Sequence, residues 1–406
     1  MGDLFDIGKM GISAYKNALA TTGQNIANVD TDGYVRRDVK IEELTASSAD
    51  ILSISSSSGL GVRMGEITRA FDKFLDIKLQ STASSYSFAK SKSEIFDQLE
   101  ATLIPKNATV GTRIREFFDG LSNLAQEPDN ANLRRLALSG AKAVSTSISG
   151  LHAGLADLRT VTHGTIELTI AEFNSTLKNL SQVQKEIIGN SAKTGAPHGL
   201  LDRRDTLLQE LSEIGDISVD YQVSGGVTVS LGKLGAVGTL LEGATFNQLE
   251  VKSDKGGVQT FVKGNFGSSS NVYFSSGQMA GLIAADITTG ETIDQLNQLA
   301  QKFVTEMNSI HGMGLDKNGE RGGQLFGMET ASITQSPKNL GTASMRVEGF
   351  ANELSGSTLN VAFDAAGKTW KLSTEPQGTS SEFEANLKLK GLSLMIEGVP
   401  QDGDSF

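Results

Sequence analysis

Apolar residues near the start of the chain fall on two adjacent seams. Leu4, Ile7, Gly11, Ala14 and Ala18 step by three and four, while Phe5, Ile12, Leu19 and Ile26 repeat every seven. Such spacing places both sets on one wide face of a single helix. The seam of small residues predicts close approach by a neighbouring helix. The seam of large ones would leave too much apolar surface in water if the helix stood alone. Asn28 to Tyr34 reads NVDTDGY, whose Asn, Asp and Gly residues accept turn conformations, so the helix is expected to stop there and a loop to follow.

From Thr45 to Gly61 the chain is rich in Ser and Gly, which predicts a flexible joint. Helical spacing returns over Ile67 to Leu103 and over Val110 to Leu124, the latter through Ile114, Phe117, Phe118 and Leu121. NLAQEPDNANLRR marks a turn and restart. Two further helices are predicted, one through Leu133, Leu136, Val144, Ile148, Leu151, Leu155 and Leu158, the next through Ile166, Ile170, Phe173, Leu177, Leu180 and Ile187. Gln184 interrupts the second seam. Seams sustained at this period predict long helices packed side by side at shallow angles.

The period then changes. Ile217, Val219, Tyr221 and Val223 alternate, SGG follows, and Val227, Val229 and Leu231 alternate again, which predicts a β-hairpin. Short strand-like runs continue to Phe274, and Ile293, Leu296, Ala300, Phe303, Met307 and Ile310 return to helix. Beyond Gln324, MRVEGF, TLNVAF, KTWKLS and GLSLMIEG are expected strands. The expected fold is therefore α+β and multidomain, a long-helix bundle with β-hairpin elements and a separate β-rich outer domain. Its expected parts are an N-terminal axial helix and loop over 1–65, a bundle over 66–330 containing a β-rich segment at 216–276, and a β-rich domain over 331–406 that is incomplete at its C-terminus.

Composition narrows the function. A chain of 406 residues usually folds as more than one compact unit. A net charge of -11 and no evident basic cluster argue against nucleic acid as a partner. With no Cys, disulfides, thiolate metal sites and Cys nucleophiles are excluded. Asp3 and Asp6 stand where a cleavable signal carries positive charge, so no ordinary secretory signal is expected. Runs such as MAGLIAA fall short of the roughly 20 residues that span a bilayer.

Candidate chemistry is sparse. None of the 4 His residues has a partner at metal-binding helical spacing, and no HExxH occurs. DKNGE at 316–320 has the start of a calcium loop without its later carboxylates, so a tight turn explains it better. GLGVRMG misses the spacing of a phosphate-cradling loop. LLDRRD gathers Asp202, Arg203, Arg204 and Asp205, a conceivable acid beside a basic clamp, although pairing along a helix is the simpler account. No catalytic, cofactor or metal residues are expected.

The stretch SAYKNALATTGQNIANVDTDGYVRR resembles the N-terminal signature of flagellar axial proteins, with Asp32 where a proline is more usual. GAPHGLLDRRDTLLQELSEIGDISVDYQVSGGVTVSLG, AQKFVTEMNSIHGMGLDKNGERGGQLF and GLSLMIEGVPQDGDSF are similar to segments of the hook-filament junction family, the first hook-associated proteins. The resemblance implies a non-enzymatic subunit that self-assembles into a ring or helical tube between hook and filament. Hook protein, a second junction protein on the filament side and an export chaperone acting through a missing C-terminal region are the implied partners. The implied location is the extracellular flagellum, reached through the flagellar export apparatus. Homologues continue past the position of Phe406 to a helix that pairs with the N-terminal one, so a truncated chain is expected. Leu4, Phe5, Ile7, Ile12, Leu19, Asn25, Ile26, Asn28, Gly33 and Tyr34 are the candidate assembly interface. Leu201, Asp202, Arg204 and Asp205 are the candidate organisers of the bundle. The rivals are a hook or distal-rod subunit, an adhesin and a cell-wall hydrolase.

Overall fold

The computed structural model describes residues 4–44, 61–106, 108–194, 197–222, 225–232, 238–254, 257–263, 269–316, 318–327, 333–336, 338–349, 358–375, 380–384, 386–389 and 392–406. The stretch expected to be a flexible joint lies outside them, except for Gly61. The chain divides into two compact units, Met1–Phe96 with Val161–Asp254 and Val258–Asp286, and Asp97–Thr160 with Lys255–Gly257 and Ile287–Phe406.

The first unit opens with α1 (Leu4–Ala27) and an antiparallel ribbon of β1 (Arg37–Glu43) and β2 (Val62–Arg69). The ribbon corrects the expectation of helix from Ile67. Ile67 pairs with Val39, and α2 (Lys73–Leu103) begins only after Asp72, whose Oδ1 accepts from Phe74 N and Leu75 N at 2.9 and 3.2 Å. Apolar alternation is weak in these strands, because charged residues occupy many of their positions.

The two helices expected between Leu133 and Ile187 are one, α4 (Ala131–Thr194), 64 residues long. Thr162 explains the missed join, since it holds the seam position between Leu158 and Ile166 and is fully buried. The distal part of α4 buries Ile166, Ile170, Phe173, Leu177, Leu180 and Ile187, while its polar residues bind strands. Asn174 exchanges two hydrogen bonds with the Leu249 backbone, Ser181 donates to Ala244 O, and Gln184 donates to Val227 O at 3.1 Å. The break in the seam at Gln184 is therefore a strand-docking position.

After α5 (His198–Ile214) comes the expected hairpin, β3 (Ile217–Tyr221) against β4 (Val227–Leu231), with Ile217 opposite Leu231 and Tyr221 opposite Val227. Val223 lies outside the described residues. Strands β5 (Thr239–Glu242) and β6 (Thr245–Phe246) extend this sheet, and β7 (Gln248–Asp254), β8 (Gly257–Lys263) and β9 (Ser269–Val272) form another. Helix α6 (Gly277–Met313) starts well before Ile293, because Met279, Ala280, Leu282 and Ala285 are all buried and leave no amphipathic period to read.

Among the described residues, the second unit has a helical core and a β-rich one. Phe117 of α3 (Val110–Gln126), Ala141 and Val144 of α4, Met307 of α6 and Phe326 form the helical one. Asn308 ties the exit from α6 to it, accepting from Leu325 N and Phe326 N and donating to Phe326 O. The other core is β-rich and contains Val347, Val361, Trp370, Leu372, Phe383 and Leu394. Its sheets are ordered β10 (Ser344–Gly349), β15 (Leu392–Glu397), β14 (Asn386–Leu389) and β11 (Thr358–Asp364), β12 (Thr369–Glu375), β13 (Ser380–Phe383). The GDSF end of the chain runs beside β11, with Val361 and Phe406 exchanging backbone hydrogen bonds at 3.1 and 2.9 Å.

Candidate assembly surface and its anchoring network

The two seams of α1 have opposite fates. Ala14 and Thr21 are buried, and Ile7, Gly11, Ala18, Asn25 and Asn28 half-buried, an unbroken alternation of four and three. Within this chain the seam lies against β1 and β2. Phe5, Ile12, Leu19 and Ile26 remain 76%, 73%, 72% and 69% exposed, a nearly constant level along the whole helix. Leu4, Tyr15 and Val29 are exposed as well. A stripe of that length is far from the scattered apolar exposure of an ordinary surface.

The end of α1 is stitched to the ribbon through Asn25. Its Nδ2 donates to Arg37 O at 2.8 Å, and its Oδ1 accepts from Arg37 N at 3.0 Å and from Tyr34 Oη at 2.7 Å. One amide side chain thus pairs with the backbone as a strand would. Asn28 works locally, donating to Gln24 O at 2.9 Å. Gly33 has φ +76°, and a Cβ there would collide with Thr206 Oγ1 of α5. Glycine is required on both counts.

Asp202, Arg204 and Asp205 are buried on α5, and the two aspartates meet the ribbon. Arg69 donates from Nε to Asp202 Oδ1 at 2.8 Å and from Nη2 to Asp205 Oδ2 at 2.7 Å. Arg37 approaches Asp202 at 3.5 Å. Arg204 donates to Asp205 Oδ1 at 2.8 Å and to Gly225 O at 2.6 Å, with its guanidinium over the Tyr221 ring. Tyr221 donates in turn to Asp76 Oδ2 at 2.6 Å. Burial raises the Asp76 carboxyl above its ordinary range, partly countered by that hydrogen bond, and burial together with Asp76 pushes the Tyr221 hydroxyl well up. Arginines 37, 69 and 204 therefore face aspartates 202 and 205, and opposite charges compensate one another there, while Asp76 joins the network through the Tyr221 hydroxyl.

Of the candidate residues, Asn25, Tyr34, Asp202, Arg204 and Asp205 belong to this one network. Gly33 adjoins it through Thr206, and half-buried Leu201 has no part in its hydrogen bonds. Leu4, Phe5, Ile12, Leu19 and Ile26 form the exposed stripe, whereas Ile7 lies on the covered seam. Arg37, Arg69, Asp76 and Tyr221 were not expected from sequence. Arg69 and Asp202 are 133 positions apart, beyond the reach of any local spacing rule. Among the described residues, no group of three or more His, Asp or Glu is placed to hold a metal ion, and no helix is long and apolar enough to cross a membrane.

The arrangement is an N-terminal helix with an exposed apolar stripe, anchored through a ribbon to the buried charges of α5. A family model for the helical domain of flagellar hook-associated protein FlgK matches residues 96–326, more than half of the chain, and the chain belongs to that family. It is 26% identical to flagellar hook-associated protein 1 of Bacillus subtilis (strain 168), over 88% of this chain and 76% of that protein. It is 24% identical to the protein of the same name from Escherichia coli (strain K12), over 100% of this chain and 75% of that one. Its fold is similar to the flagellar hook junction protein FlgK from Burkholderia pseudomallei, with a TM-score of 0.55 at 22% identity, covering 82% of this chain and 61% of that one.

Proposed function

We propose that this chain is a structural subunit of the bacterial flagellum that joins hook to filament by assembling with its own copies into a ring or helical tube. The carrying observation is the stripe of Phe5, Ile12, Leu19 and Ile26, held at a constant exposure along α1. A contiguous apolar surface of that length marks a site of interaction with another protein surface. Membership of the FlgK helical-domain family and the names of the relatives support the flagellar setting. In this proposal residues 1–65 serve assembly, 66–330 form the helical body and 331–406 a β-rich appendage. Hook protein and a second junction protein on the filament side are the neighbours, an export chaperone is a transient partner, and no catalysis is involved. The subunit leaves the cell through the flagellar export apparatus.

The test is deletion of the native gene and complementation with the full-length gene, with flagella imaged and flagellin in the medium measured. Hooks without filaments, flagellin lost to the medium, and rescue of both by the gene are expected. Missing hooks would instead make the protein a hook or rod subunit, and unaffected flagella would remove it from the axis altogether.

A further inference from the structure

The chain passes from β2 to α2 through only Ala70, Phe71 and Asp72, which have no regular structure. A short irregular link between two rigid elements is a natural hinge. Here both sides of it are gripped by the same segment, α5 and β3. On the ribbon side, Arg69 spans Asp202 and Asp205 with two nitrogens of one planar fork. On the helix side, Asp76 accepts from Tyr221, whose ring has the Arg204 guanidinium and the Lys73 ammonium over it at 5.1 and 5.3 Å. Phe71, within the link, packs its ring 5.7 Å from Tyr221 and receives the Arg69 guanidinium over its face at 5.2 Å.

Apolar packing alone would tolerate rotation about such a link, because it has no directional preference. A forked guanidinium bound to two carboxylates does not, since both hydrogen bonds are satisfied in one orientation. The ribbon carries α1 with it, through the buried seam and the double hydrogen bond of Asn25 to Arg37. We propose that the Arg69–Asp202–Asp205 cluster is a clamp on the 70–72 link that fixes the direction in which α1 presents its exposed stripe. Loss of the clamp frees helix and ribbon as a unit while α4 and α5 stay folded. The clamp is a property of the isolated chain and does not rest on the flagellar role.

The absence of cysteine allows a direct test. Spin labels placed through Lys16→Cys and Glu172→Cys, both at exposed positions, report the distance between α1 and α4 in the whole chain. The expected result is one narrow distance distribution in the parent, broadened in Arg69→Gln. Amides of the turn and ribbon should exchange about tenfold faster, the least that loss of a charged hydrogen bond implies, with amides at 166–187 and 207–214 unchanged. A distribution already broad in the parent, or still narrow in the variant, overturns the clamp. So does general loss of protection across α4 and α5, which would make the cluster a support of the core. Arg69→Lys keeps the charge without the fork and tests the same point if Arg69→Gln does not fold. It must broaden the distribution too, and a Lys variant indistinguishable from the parent overturns the proposal.

Discussion

At the scale of single residues, the turn after α1 depends on groups that have no substitute. Gly33 combines a left-handed backbone with direct contact to Thr206, so Gly33→Ala is expected to weaken the turn by about 1–2 kcal/mol from backbone strain alone, before any shift of Thr206. Amide exchange at Tyr34 and Arg37 would measure this, and an unchanged rate would show that the turn relaxes freely. Phe117 occupies the opposite situation, fully buried and 5.9 Å from the Phe326 ring, with Gly140 letting α4 approach its backbone. Phe117→Ala is expected to cost about 3–5 kcal/mol, readable as a lower denaturant midpoint for the helical core of the second unit. A loss below 1 kcal/mol would mean that Phe303 and Phe326 close over the gap.

At the scale of elements, α1 shows what a pair of seams can disclose. Its period is local, so the sequence is enough to separate a small-residue seam from a large-residue seam. The partner is long-range, so the sequence does not show that a ribbon covers the first. Leu19→Asp and Ile26→Asp are expected to block incorporation into flagella while leaving helix content and melting unchanged, because each side chain faces solvent in the free chain and a charge is costly only once covered. Normal assembly of either variant, or its unfolding as a free chain, would misplace the stripe. The same contrast explains what was legible elsewhere. The hairpin at 217–231 could be read because its alternation is unbroken. Helix α4 was divided in two because Thr162 substitutes for an aliphatic residue on the seam, and the start of α6 was missed because it is apolar all round. The ribbon was missed because its pairing of Val39 with Ile67 bridges residues that no window joins. Asp202, Arg204 and Asp205 stood out as a charged group, but their partners Arg69, Tyr221 and Asp76 arrive from distant segments, so the network itself was invisible.

At the scale of the whole molecule, the ionisable groups with resolved shifts divide by region, and this predicts an order of events in acid. In the β-rich core, Asp404 is buried and its carboxyl accepts from Gln401 N, Leu340 N and Gly341 N, which hold it below its ordinary value of 3.8, the Gln401 bond foremost. Asp364 is lowered as well, first by Lys371 and then by Ala366 N and Gly367 N. A carboxyl lowered on folding contributes stability that is complete above its unfolded value and disappears as pH falls through the folded one. Asp76, in the other unit, is raised by burial, so its contribution has the opposite sign and is most favourable when it is protonated. Acidification through the raised Asp76 value relieves a strain near α2, a relief complete by 3.8, whereas acidification below 3.8 withdraws support from the β-rich core. The single tryptophan makes the order observable, because Trp370 is buried among Phe363 and Phe406 in that core. Its emission is expected to shift to the red at a higher pH than the one at which far-ultraviolet helical ellipticity falls. Asp404→Asn removes the titrating group, so that variant should be less stable at neutral pH and should show a flatter dependence of Trp370 emission on acid. Helical signal lost first, or an Asp404→Asn variant with the parent's acid profile, would mean that carboxylates elsewhere govern acid unfolding.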